Sequence, residues 1–189
     1  MPKIRTFIAV ELPAEVRHRA VDLMRRLRQS VSDVKWVEPE NLHWTLQFLG
    51  EVGELEIPAI CDAVSAAAAE HEPFELEAHG AGAFPTSDRP RTLWLGAGEG
   101  CDAMIALQAS VADHLFQLGY RAEERRFVPH LTLGRAGRQV NTAVFSRELA
   151  QLADFDGGTM LVDEITVFSS TPSRDGPLYE PLGHLPLAP

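Results

Sequence analysis

The chain is short of cysteine, of positive charge and of long apolar runs. Two cysteines in 189 residues, Cys61 and Cys101, cannot form a disulfide framework, and they fit a reducing compartment. The first apolar run, Phe7 to Val10, is broken by Glu11 and is too short for a signal-peptide core or a membrane span, so a soluble, cytoplasmic protein is expected. With 17 basic against 27 acidic side chains the formal net charge is −10, which argues against broad binding to a nucleic-acid backbone but not against grasping one phosphate in a small pocket. His-Glu-x-x-His, Cys-x-x-Cys, a Walker loop and a dinucleotide fingerprint are all missing, and no acidic residue stands at ligand spacing beside the histidines discussed below. The glycine-rich Gly96–Gly100 lacks the Lys-Ser/Thr ending and reads as a turn.

What is present is a repeat. Asn-Leu-His-Trp-Thr-Leu-Gln-Phe-Leu-Gly at 41–50 is echoed by Phe-Val-Pro-His-Leu-Thr-Leu-Gly-Arg at 127–135. His43 and His130 are 87 residues apart, as are Thr45 and Thr132. Alternation of apolar and polar residues predicts that each copy is a strand, whose side chains two apart share a face. His43, Thr45 and Gln47 then form one front, with Trp44, Leu46 and Phe48 behind; His130 and Thr132 form the other, with Leu131 and Leu133 behind. Gly134 leaves the floor between the fronts unobstructed. One His-x-Thr carries little information, and two copies could still be chance or a duplication without surviving activity. The chain is also locally basic: Arg121 to Arg138 holds five arginines against Glu123 and Glu124. That window is either a solvated loop or an anion-attracting rim.

Around the repeat, strands are expected at 5–12, 34–37, 74–78, 92–95 and 160–168. Helices are expected at 14–30, 54–70, 102–118 (with Gly119 as C-terminal cap) and from Asn141 to Gly157-Gly158, with Phe145, Leu149 and Leu152 inward. Residues 80–90 read as loop, and a Pro- and Gly-rich tail closes the chain. His18, His71, His79, His114 and His184 match no motif and read as surface or structural. Neighbouring strands often lack a helix between them, which favours antiparallel pairing. The expected fold is α+β and bilobal: one domain over 1–189, a pseudo-two-fold duplication of two mainly antiparallel sheets facing a central cleft, with helices outside.

Two imidazoles across a cleft can serve as base and acid, each near its working range at an ordinary pKa of about 6.5. Attack at phosphorus puts the entering and leaving oxygens on opposite sides, which suits such a pair, and threonine hydroxyls can donate to the non-bridging oxygens.

These residues, together with Arg-Thr-Phe-Ile-Ala-Val-Glu-Leu-Pro at 5–13 and Val-Glu-Pro-Glu at 37–40, resemble the two-histidine phosphoesterase superfamily, and within it the RNA 2′,3′-cyclic phosphodiesterases, also called 2′-5′ RNA ligases. The resemblance runs over nearly the whole chain, and both His-x-Thr-Leu motifs are intact. It implies the bilobal fold, no metal or organic cofactor, and hydrolysis of a 2′,3′-cyclic phosphate to a 2′-phosphomonoester, with 2′-5′ ligation as the reverse-type activity. It implies His43 as proton donor, His130 as proton acceptor, Thr45 and Thr132 on phosphate oxygens, and Arg126 and Arg135 as phosphate or nucleotide contacts. Strict alternation, however, puts Arg135 on the back face unless the strand ends at Gly134. The implied partners are RNA ends or small nucleotides carrying a 2′,3′-cyclic phosphate, with no membrane and no obligate protein partner. A module that binds such ends with little turnover is the alternative, although a pure binder has no need of two titrating groups.

Overall fold

The computed structural model describes residues 2–174 and 176–188. In chain order its strands are β1 (Lys3–Glu11), β2 (Val34–Trp36), β3 (His43–Gly53), β4 (Phe74–Thr86), β5 (Arg89–Ala97), β6 (His130–Ala136), β7 (Asp156–Val162), β8 (Glu164–Pro172) and β9 (Pro177–Pro186). The α-helices are α1 (Ala14–Arg28), α2 (Ile57–Ala68), α3 (Cys101–Gln117) and α4 (Thr142–Ala150). Every strand pairing is antiparallel, in the order β7-β4-β5-β6-β3-β1-β8-β9 with β2 on β6. The two expected sheets are thus four-stranded halves, β3-β1-β8-β9 and β7-β4-β5-β6. They meet through a single pair, Trp44 with Leu131, between the two His-x-Thr strands.

The helices lie outside, with α2 against β8 and β9, α3 against α2 and β3, and α1 against β7. Their apolar stripes explain this placement. Val16, Ala20, Met24 and Leu27 of α1, Ile60 and Val64 of α2, and Met104, Leu107, Val111 and Leu115 of α3 are all buried in one core. Leu118, the last residue of the helix expected over 102–118, lies past the helix end and is exposed. Gly119 beyond it has φ +90°, the left-handed conformation of a helix-ending glycine. Asn141 caps α4 by accepting from the Val144 N–H at 3.2 Å.

Several boundaries differ from the sequence reading. Residues 80–90 are the paired arms of the β4–β5 hairpin, whose small and polar residues hid the strand. Gly157 and Gly158 lie inside β7 and do not end α4. The single strand expected at 160–168 is two, broken at Asp163, and the tail supplies the edge strand β9. The helix expected from 54 begins as a 3₁₀ turn, Glu54–Glu56, before α2. No helix of the described residues is long and apolar enough to cross a membrane.

Candidate active site

The two His-x-Thr strands have the same burial sequence over seven residues, from His43 to Leu49 and from His130 to Ala136. In each, the histidine and threonine are partly exposed and the residues between and behind them are buried. Both strands carry the same irregularity. Against β1, Leu46 is an extra residue between Thr45 and Gln47; against β5, Leu133 is an extra residue between Thr132 and Gly134. Such a bulge puts two successive side chains on one side and inverts the alternation beyond it.

The bulges correct three expectations. Gln47, expected on an open front with Thr45, is buried, 5% exposed, in the wall of the cavity that Thr45 also lines. Phe48, expected at the back, is 59% exposed and lines the cleft with Thr45. Arg135, which strict alternation sends backward, comes round to line the same cavity as His130 and Thr132, although β6 does not end at Gly134. Gly134 does not keep a cleft floor open. Its missing side chain makes room for β2: a Cβ there would lie 2.8 Å from Val34 Cγ1 and 3.3 Å from the Trp36 ring.

Antiparallel register through Trp44–Leu131 sets His43 toward Thr132 and Thr45 toward His130. Each imidazole therefore has one hydroxyl two residues along its own strand and another across the seam. His43 Nδ1–H donates to the Asn41 carbonyl at 2.7 Å, and His130 Nδ1–H to the Val128 carbonyl at 2.8 Å. A carbonyl can only accept, so both neutral rings hold their proton on Nδ1 and keep the Nε2 lone pair free. Asn41 is itself tied down, its Nδ2 donating to the Pro177 carbonyl at 2.8 Å. His43 also packs on Phe7 at 4.8 Å and edge-on to Tyr179 at 5.4 Å, between ring centroids; His130 meets Phe84 edge-on at 5.0 Å.

Burial pushes the His43 pKa down from 6.5 to about 4; the bond to Asn41 works the other way, and His130 adds to the lowering. Burial also lowers His130, with Val128 and Glu123 opposing and Arg135 assisting. Both rings are thus neutral at pH 7 in the free protein.

A cavity of about 750 Å³ is lined by His130, Thr132, Thr45, Arg126 and Arg135, and one of about 490 Å³ by His43, Asn41 and Tyr179. The arginine-rich window supplies three residues to the lining of the larger cavity, Arg125, Arg126 and Arg135, and Arg91 joins them from β5. The other histidines are elsewhere: His18 is exposed, His71 bonds Ser110 at 2.8 Å, and His114 pairs with Glu70 at 2.8 Å. Among the described residues, Glu11, Glu164 and His184 bring three potential metal-ligand atoms within 4.8 Å of one another. His184 Nδ1 lies 3.1 Å from Glu164 and 3.7 Å from Glu11.

Residues 12–173 match the family model described as the 2′-5′ RNA ligase superfamily. The chain belongs to that superfamily. Similar proteins include the RNA 2′,3′-cyclic phosphodiesterase of Methanothermobacter thermautotrophicus, 36% identical over 177 residues that cover 94% of this chain and 95% of that one. That of Archaeoglobus fulgidus is 36% identical over 179 residues, 95% and 98% of the two chains. Among solved structures, a Thermus thermophilus protein superposes with TM-score 0.81 at 27% identity, covering 97% of this chain and 98% of the other. Escherichia coli LigT complexed with 3′-AMP gives 0.75 at 28% identity, covering 98% and 99%. The superfamily's α+β architecture, helices packed on a curved antiparallel sheet, is the one described above.

Proposed function

We infer that this chain is an RNA 2′,3′-cyclic phosphodiesterase, a hydrolase that opens a 2′,3′-cyclic phosphate to a 2′-phosphomonoester. The observation that carries the reading is the facing pair of His-x-Thr strands, each with its Nε2 lone pair free, in a chain that belongs to this superfamily. In the proposed reaction His130 Nε2 takes a proton from water as the water oxygen bonds to phosphorus. The bond from phosphorus to O3′ breaks, and the proton on His43 Nε2 passes to O3′. The product carries a 2′-phosphate and a free 3′-hydroxyl, and the imidazoles exchange their proton states through solvent. Thr45 and Thr132 donate to the non-bridging oxygens, and Arg126 and Arg135 draw in the anion.

This scheme needs one imidazolium, and the free protein holds two neutral rings at pH 7. The substrate supplies the remedy. An anionic phosphate placed between the rings favours the charged form, so one proton arrives with the substrate. The low pKa of His43 then makes its imidazolium a strong acid toward O3′. With the 5′-hydroxyl of a second RNA end attacking phosphorus in place of water, the same steps break the bond to O3′ and form a 2′-5′ link.

Partners are proposed to be RNA ends or small nucleotides with a 2′,3′-cyclic phosphate. LigT, solved with 3′-AMP, is a relative that holds a nucleotide. Two unpaired, half-buried thiols fit the cytoplasm as the proposed location. The test is incubation with adenosine 2′,3′-cyclic phosphate in a chelated buffer, with the products separated. The 2′-monophosphate is expected. Binding without turnover would leave a nucleotide-binding module, and turnover that stops on chelation and returns with Zn²⁺ or Mn²⁺ would overturn the acid–base scheme.

A further inference from the structure

The duplication is broken at β2. A shift of 87 residues carries β2, 34–36, onto 121–123. β2 pairs with β6 and covers Gly134. Segment 121–123 forms no strand, and among the described residues β3 has no strand on that edge beyond Trp44. The same shift carries Gly134 back onto Gln47. Where Gly134 has a strand over it, Gln47 lines the 750 Å³ cavity that also holds His130 and Thr132.

Gln47 is built for an occupant. It is 5% exposed, and neither Oε1 nor Nε2 has a hydrogen-bond partner among the described residues. A buried carboxamide without partners is costly to keep, and an apolar residue of that size would fill the site without the cost. The group is neutral and planar, with one acceptor beside one donor, which suits no phosphate but matches the adjacent donor and acceptor on the edge of a nucleobase. Its place also fits. Thr45 and Gln47 line the same cavity, so a nucleotide whose phosphate meets Thr45 has room for its base beside Gln47. Phe48 and Phe127 line the same cavity and offer aromatic faces for stacking.

We propose that Gln47 is a nucleobase-binding residue, its carboxamide hydrogen-bonding the edge of the base on the ribose whose cyclic phosphate lies at the two histidines. This rests on the cyclic phosphodiesterase reading. A carboxamide can turn over to match any of the four bases, so the residue selects for the presence of a base and not for its identity.

The experiment compares wild type with Gln47→Leu on adenosine 2′,3′-cyclic phosphate and on methyl riboside 2′,3′-cyclic phosphate, which has no base. The variant should raise KM for the adenosine ester roughly 10- to 100-fold, the scale of losing hydrogen bonds to a buried partner. KM for the base-free ester should hold. The melting temperature should stay or rise, because an unpartnered amide is gone, whereas a carboxamide that merely braced the core would lower it. Equal change on both esters, or no change on either, overturns the proposal. A wild type that turns over neither ester rejects the activity instead. Calorimetry then decides on Gln47: adenosine 2′-phosphate should bind wild type more tightly than Gln47→Leu while inorganic phosphate binds both alike, and equal adenosine 2′-phosphate affinities reject the base contact.

Discussion

Lowering the pH should destabilise this protein through His43 in a way that one substitution removes. The ring is neutral when folded, with its pKa held down to about 4, mainly by burial against Phe7 and Tyr179. Unfolding releases it to the ordinary value of about 6.5. Between these values the unfolded chain binds a proton that the folded chain refuses, so stability falls with pH. The contribution is whole above about pH 6.5 and is lost as pH falls through about 4. A gap of some 2.5 pH units at about 1.4 kcal/mol each amounts to roughly 3 kcal/mol. His43→Asn keeps an N–H near the Asn41 carbonyl and cannot titrate. Urea unfolding of wild type and variant at pH 7, 6, 5 and 4, followed by tryptophan fluorescence, measures the difference between them. That difference should move by roughly 3 kcal/mol in the variant's favour from pH 7 to pH 4. A difference that stays constant over the window refutes the argument that burial holds this ring neutral. The same linkage predicts that adenosine 2′-phosphate takes up protons as it binds near pH 6, which calorimetry in buffers of different ionisation enthalpy reads directly.

The proposed roles of the histidines separate on a substrate whose leaving group needs no proton. With bis(p-nitrophenyl) phosphate, His43→Ala should keep most activity, while His130→Ala should still lose roughly 10²–10⁴ in kcat; the opposite pattern exchanges the roles. Thr45→Ala and Thr132→Ala should each cost about 1–3 kcal/mol in kcat/KM and leave the shape of the pH profile unchanged; a displaced limb would show that the hydroxyls tune the imidazoles instead. Arg126→Ala and Arg135→Ala should mainly raise KM and weaken its salt dependence, measured at 20 and 300 mM NaCl; wild-type KM at low salt in both would return the window to solvent. Trp44→Ala, at the one pair joining the two half-sheets, should cost roughly 3–5 kcal/mol in thermal unfolding; a loss below about 1 kcal/mol would mean that the seam does not depend on it.

The sequence alone determined the ingredients of this site. His43 and Thr45, like His130 and Thr132, are two apart on strands whose intervening residues, Trp44 and Leu131, had to be buried. That follows from the period of a strand and needs no knowledge of neighbours. The apolar stripes of α1 to α3 were legible for the same reason, as was the cap at Asn141. What lay beyond the threonines was decided only in three dimensions. A bulge exists between two strands, and nothing in Leu46-Gln47-Phe48 announces that β1 will pair past it with one residue fewer. So Gln47 was buried, Phe48 opened to the cleft and Arg135 came forward. The β4–β5 hairpin and β9 were hidden likewise: Gly, Ala and Pro in an edge or a hairpin arm become strand because a partner is there to take their hydrogen bonds. The lowered pKa of His43 is tertiary as well, since rings of β1 and β9 close over it. The cavity beside Gln47 is the plainest case. Both copies of the repeat have the same local pattern, and only one of them has a strand laid over it.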